Sequence, residues 1–224
     1  MEPALASETA RAAEATPTTA DMPRPAAQRS RPRLLAVALY HRDHISLPPK
    51  SRCYGYEAFH WGLLITPSEA QAQPREETSQ AEKWQPSGEK NCLAVDATDA
   101  SEIDPITFRM KNPSMDWWMH HKVVDPETSS KMIGRIVVGE IPPEVSNDDL
   151  MTIFHRVPLP VKNTHPQQSC VTWAISAVRY MQNLGWARKF DLDQFKDAAL
   201  AYAEERMKKE ESTEPKIKYY KTSD

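Results

Sequence analysis

The order of elements along the chain predicts an α+β fold: a mixed or antiparallel sheet of four to five strands packed with about three helices. Two observations carry it. Short apolar segments of strand length fill the first part of the chain, and segments with helical spacing fill the last part. A composition of 19 prolines against 6 glycines fits many firm element ends and disfavours a glycine-rich nucleotide loop. No G-x-G-x-x-G or Walker pattern occurs in the sequence.

Each element has a local reason. Leu34 to Tyr40, LLAVALY, is an apolar run too short for a helix and reads as a buried strand. His41 to Arg52 is polar, contains Pro48 and Pro49, and reads as a loop. Glu57 to Thr66, EAFHWGLLIT, is a second strand closed by Pro67, and Asn91 to Thr98, NCLAVDAT, is a third. Between them, residues 67–90 hold almost nothing to bury, so they are expected as a flexible insertion. Asp116 to Val124 and Lys131 to Ile141 read as the fourth and fifth strands, the latter ended by Pro142 and Pro143. Ser146 to Val157 begins with an N-cap serine and first-turn acids, the signature of a helix start. In Gln168 to Leu184, Val171, Ala174, Ile175, Val178 and Met181 recur at helical spacing. Asp191 to Glu211 does the same with Phe195, Ala198, Ala199, Tyr202 and Met207. The domain expected is therefore 34–211. A disordered Ala/Pro/Thr-rich extension (1–33) precedes it and a disordered tail (212–224) follows it.

Composition narrows the function classes. A net charge of -3 from 28 basic and 31 acidic residues gives no basic excess for nucleic acid. No apolar run is long enough to span a bilayer. Three cysteines, Cys53, Cys92 and Cys170, do not make a disulfide framework and suit a reducing, cytoplasmic setting. Residues 1–33 lack the charged and apolar regions of a secretory signal, and Glu2, Glu8, Glu14 and Asp21 are out of place in a mitochondrial presequence.

Three residues stand out for chemistry. Cys170 begins an apolar helix, where free N–H groups and the helix dipole stabilise a thiolate and offer donors to an oxyanion; a buried cysteine serving as a small hydrophobe is the plainer reading. His60 lies near the start of a strand among small residues, Ala58 and Gly62, on its face. Asp96 lies on the next strand and, beside an imidazole, would fix its tautomer; a strand-end turn acid is the plainer reading there, and Asp99 is the other acid in reach. His41 and His44 form H-x-x-H with Cys53 nearby but lack a fourth zinc ligand. His120 and His121 are adjacent on a strand, so they point to opposite faces and cannot chelate one ion together. No metal and no cofactor are expected.

The blocks LAVALYHRD, FHWGLLITP, KMIGRIVVGEI with its following helix, SCVTWAISAVRYM and FDLDQFKDAALAYAEERM resemble a fungal domain family of uncharacterised function over residues 34–208. The order of a histidine strand, a polar strand and a cysteine helix is also similar to the circularly permuted NlpC-type papain-like fold. That fold is shared by lecithin–retinol acyltransferase-like enzymes and permuted deubiquitinase-like peptidases. The resemblance implies a cysteine nucleophile, a strand histidine and a third polar group, which fall on Cys170, His60 and Asp96. Ser169 precedes Cys170, where the acyltransferase relatives carry Asn.

That departure favours a catalytically degraded papain-like scaffold, a binding or accessory protein in a fungal biosynthetic pathway. The alternative is a cysteine-dependent hydrolase or acyl/amide transferase using Cys170 and His60. The partner expected is a small molecule or peptide rather than nucleic acid or membrane, and the chain is expected as a monomer or weak oligomer.

Overall fold

A computed structural model describes residues 32–67 and 92–221. Most of the N-terminal extension and nearly all of the insertion at 67–90 lie outside the described residues. Strands β1 (Arg33–His41), β2 (Phe59–Pro67), β3 (Cys92–Thr98), β4 (Trp118–Val124), β5 (Met132–Ile141) and β6 (Ile217–Tyr219) form one mixed sheet in the order β4-β3-β2-β1-β5-β6. All neighbours are antiparallel except β5 and β6, which run parallel. Helices α1 (Lys50–Tyr54), α2 (Asn147–Phe154), α3 (Cys170–Leu184) and α4 (Leu192–Arg206) complete the described fold. The class is α+β, as the element order predicts.

The expected disordered tail is corrected over residues 212–221, and 222–224 lie outside the described residues. Ile217–Tyr219 adds a sixth strand beside β5, and Tyr220 packs its ring 4.7 Å from Phe190 and 5.0 Å from Phe195. Three residues are too few for a period to show, and this strand is held by contacts remote in sequence. Two smaller differences share that origin. The loop after β1 contains the single turn α1, and Ile175 is only half-buried whereas Trp173 is fully buried.

Alternation along the strands sorts side chains onto two faces. Leu35, Val37, Leu39, Trp61, Leu63 and Val95 face α3 and α4 and pack with Trp173, Ala174, Val178, Phe195 and Tyr202 in the main core. Each fully buried aliphatic there contributes about 1.5–3 kcal/mol. On the other face Ala38, Leu64, Cys92, Ala94 and Met132 form a smaller cluster. Gly134 on β5 lets α4 approach, since a Cβ there would lie 2.1 Å from the Tyr202 hydroxyl oxygen.

Local signals place the helix starts. The Ser146 hydroxyl accepts from Asp149 N–H and the Asp149 carboxylate accepts from Ser146 N–H, a capping box for α2. Asp191 caps α4 by accepting from Gln194 N–H at 2.8 Å. For α3 the Ser169 hydroxyl accepts from Val171 N–H, while Ser169 N–H donates to the Thr172 hydroxyl. Gly185, in the left-handed region at φ +76°, closes α3. These caps set Cys170 as the first residue of its helix.

Candidate functional site

His60, Asp96 and Cys170 come from β2, β3 and α3, and α3 packs across both strands. Since β2 and β3 run antiparallel, the start of one meets the end of the other. The paired residues run from Ile65↔Leu93 to Leu63↔Val95. One step further, Gly62 faces Asp96 so closely that a Cβ on the glycine would lie 3.0 Å from the Asp96 Cβ. The absent side chain leaves the space that Asp96 fills. His60 is the next residue on that face of β2, and its Nε2 stands 3.0 Å from Asp96 Oδ2.

Cys170 is the second side chain that acts on the His60 ring, and like Asp96 it favours the charged form. Cys170 belongs to the helix-side core and is 2% exposed. His60 and Asp96 line a cavity of about 960 Å³ on the other face, with Tyr40 and Ala94. Cys170 thus belongs to the helix-side core, while His60 and Asp96 line the cavity on the other face.

The electrostatics describe an ion pair. Burial is the largest influence on His60 and disfavours its charged form. Hydrogen bonds and charges from Asp96 and Cys170 outweigh burial and raise the imidazole from 6.5 to about 10. Burial likewise pushes the Asp96 carboxyl up, but His120 and His60 hold it down at about 2. Near neutral pH, Asp96 is thus an anion that only accepts hydrogen bonds, and His60 is a cation that donates from both nitrogens. Burial, with the Asp96 charge second, raises the Tyr40 phenol, so it stays protonated beside His60, the ring centroids 6.0 Å apart.

The structure brings the three sequence candidates together and adds one. His120 lies directly opposite Asp96 in the β3–β4 register, and its Nδ1 is 3.3 Å from Asp96 Oδ1. Sequence reasoning weighed His120 only as half of a metal-binding pair with His121. The alternation that denies the pair one ion also places His120 on the Asp96 face. Only the register, which depends on the loop between β3 and β4, was missing. Asp99 lies beyond the end of β3, and His41 Nδ1 sits 4.0 Å from Asp43 Oδ1; all three line the same cavity as His60 and Asp96. Among the described residues no group of three or more His, Cys, Asp or Glu side chains is arranged to hold a metal ion, and no helix is long and apolar enough to cross a membrane.

Cys170 N–H is at the first position of α3, where no intrahelical acceptor exists. A thiol, an imidazolium, an ionised acid and a free helix N–H are together the parts of a nucleophilic acyl-transfer site. A model of a family of unknown function (DUF6914) matches residues 31–218. No curated protein and no solved structure matches the chain.

Proposed function

We propose that this chain, which belongs to the DUF6914 family of unknown function, is a cysteine-dependent hydrolase or acyl/amide transferase. The observation that carries the reading is the His60–Asp96 contact at 3.0 Å, and the influence of Cys170 on the same imidazole supports it.

In this reading the Cys170 thiol releases its proton to solvent, and the thiolate, beside the His60 imidazolium, attacks the carbonyl carbon of an ester, thioester or amide. A C–S bond forms and the carbonyl electrons move to oxygen, where the Cys170 N–H donates to the oxyanion. The oxyanion collapses, the bond to the leaving group breaks, and His60 gives its Nδ1 proton to that group. His60, now neutral, takes a proton from water or from an acceptor amine or alcohol. That nucleophile attacks the thioester carbon, the C–S bond breaks, and the thiolate is left beside the restored His60 imidazolium. Asp96 stays ionised throughout and keeps the ring oriented through Nε2.

Two measurements test this. Limiting iodoacetamide near pH 6.5, the ordinary imidazole value, should label Cys170 before Cys53 or Cys92, and His60→Ala should slow that labelling. An activated acyl ester should leave an acyl thioester on Cys170 that Cys170→Ala cannot form. A folded protein whose Cys170 is inert to both reagents would sink the enzyme and leave the binding or accessory scaffold. The 2% exposure of Cys170 is the observation that favours that second reading. Cytoplasmic residence and a small molecule or peptide as partner remain part of the proposal, on the cysteine usage and charge balance of the chain.

A further inference from the structure

We propose that His120 is a positioning residue of this site, pinning the second oxygen of Asp96 so that the first is held in line with His60 Nε2. The inference rests on the reading of Cys170, His60 and Asp96 as a working set.

Asp96 meets His60 through Oδ2 at 3.0 Å and His120 through Oδ1 at 3.3 Å. An ionised carboxylate only accepts, so the proton of each contact belongs to the ring, and the reactive His120 tautomer carries its proton on Nδ1. A carboxylate with one partner can turn about its Cβ–Cγ bond. A carboxylate gripped at both oxygens by rings from two different strands cannot turn without breaking a hydrogen bond. The grip is itself fixed. His120 is set opposite Asp96 by the β3–β4 register, and its side chain is 16% exposed. Its ring stands edge-on to Trp118 with centroids 5.2 Å apart, and its Nε2 faces Glu102 Oε1 at 3.9 Å.

The charged groups around His120 come from every neighbouring element: Asp96 from β3, His60 from β2, Glu102 from the loop after β3, and Lys122 from its own strand, across the shared cavity. Asp96 is the nearest acid, and Glu102 the next. His120 touches neither the sulfur nor the carbon under attack, so it acts through Asp96 alone.

Two readouts separate this role from simple support of the fold: the titration of the His60 ring, followed by NMR in 15N-histidine protein, and the rate of Cys170 alkylation near pH 6.5. His120→Ala should move the His60 titration to lower pH and slow alkylation by roughly three- to tenfold, the weight of one charge-assisted hydrogen bond only partly transmitted. His120→Asn, whose amide N–H can stand where Nδ1–H stood, should bring both values back to within about twofold of wild type. Folded His120→Ala protein with His60 titration and alkylation rate both unchanged would overturn the inference and leave the proposed function standing. Loss in His120→Ala that His120→Asn does not recover would also overturn it, since support of the fold alone would then suffice. If wild-type Cys170 proves inert, the proposed function falls, and the His60 titration in the two variants still decides whether His120 positions Asp96.

Discussion

On the face of the sheet covered by α3 and α4, Leu39, Trp61 and Val95 are fully buried. One residue away on the same three strands, Tyr40, His60 and Asp96 turn to the cavity face and stay only partly buried. The backbone and its ladder of hydrogen bonds are the same for both sets, and only the pleat separates them. The helix side is stabilised by apolar area, which does not depend on pH. The cavity side is stabilised by an ion pair whose worth depends on the protonation of both partners. A one-residue slip of β2 would exchange the two sets, so the apolar face fixes the register that the polar face needs.

The comparison is broken most heavily from the apolar side. Phe195→Ala on α4 removes a fully buried ring that also meets Phe190 and Tyr220. It should cost about 3–5 kcal/mol in urea unfolding, and this cost should be the same at pH 5 and pH 8. A cost that changed with pH would mean that the two faces are coupled.

Asp96→Asn acts on the polar side. It should cost about 1.5–3 kcal/mol through hydrogen bonds to a charged group, and here the cost should depend on pH. His60 is raised from 6.5 to about 10, so its contribution is complete below 6.5 and is lost as pH rises toward 10. Asp96 is lowered from 3.8 to about 2, so its contribution is present above 3.8 and is lost as pH falls toward 2. The gap in unfolding midpoint between wild type and Asp96→Asn should be widest between about pH 4 and 6.5 and narrow on either side. A gap that is flat from pH 4 to 9 would refute the ion pair.

Gly62→Ala sharpens the contrast within one strand. The added methyl meets the Asp96 Cβ at 3.0 Å and the Val95 carbonyl oxygen at 3.1 Å. Overpacking should cost about 1–3 kcal/mol. Because the pressed atom belongs to the site, the rate of Cys170 alkylation should fall further than Phe195→Ala lowers it under folding conditions. Equal effects on that rate would show that Gly62 serves packing only. The smallest effect belongs to neither face. Lys196→Ala removes a pair with the exposed Asp193 at 2.8 Å and a cation 5.3 Å from the Tyr56 ring centroid, and it should leave the urea midpoint close to that of the wild type.

The helix side was legible in the chain because its signals are local. Apolar runs of strand length, the N-cap Ser146 and the helical spacing from Val171 to Met181 each lie within a few residues of the structure they produce. The exceptions are informative. β6 is three residues long and exists because β5 offers an open edge, while Tyr220 anchors it on Phe190 and Phe195. Ile175, which its spacing puts in the core, is only half-buried, while Trp173 fills the core with its ring centroid 6.1 Å from Phe154.

The sequence by itself determined the order of the five long strands and three long helices, the α+β class, a helix start near Cys170, and the residue types able to act as nucleophile, base and acid. It placed His60 and Asp96 on neighbouring strands because alternation is a property of each strand alone. Tertiary structure decided that the two meet at 3.0 Å, that Cys170 acts on the same ring, and that His120 stands 3.3 Å from the other oxygen of Asp96. Those distances depend on register, on the lengths of the connections between strands, and on how α3 lies over β2 and β3. Each is a relation between segments distant in sequence. It is settled by the packing of the whole core, so no local pattern of residues records it.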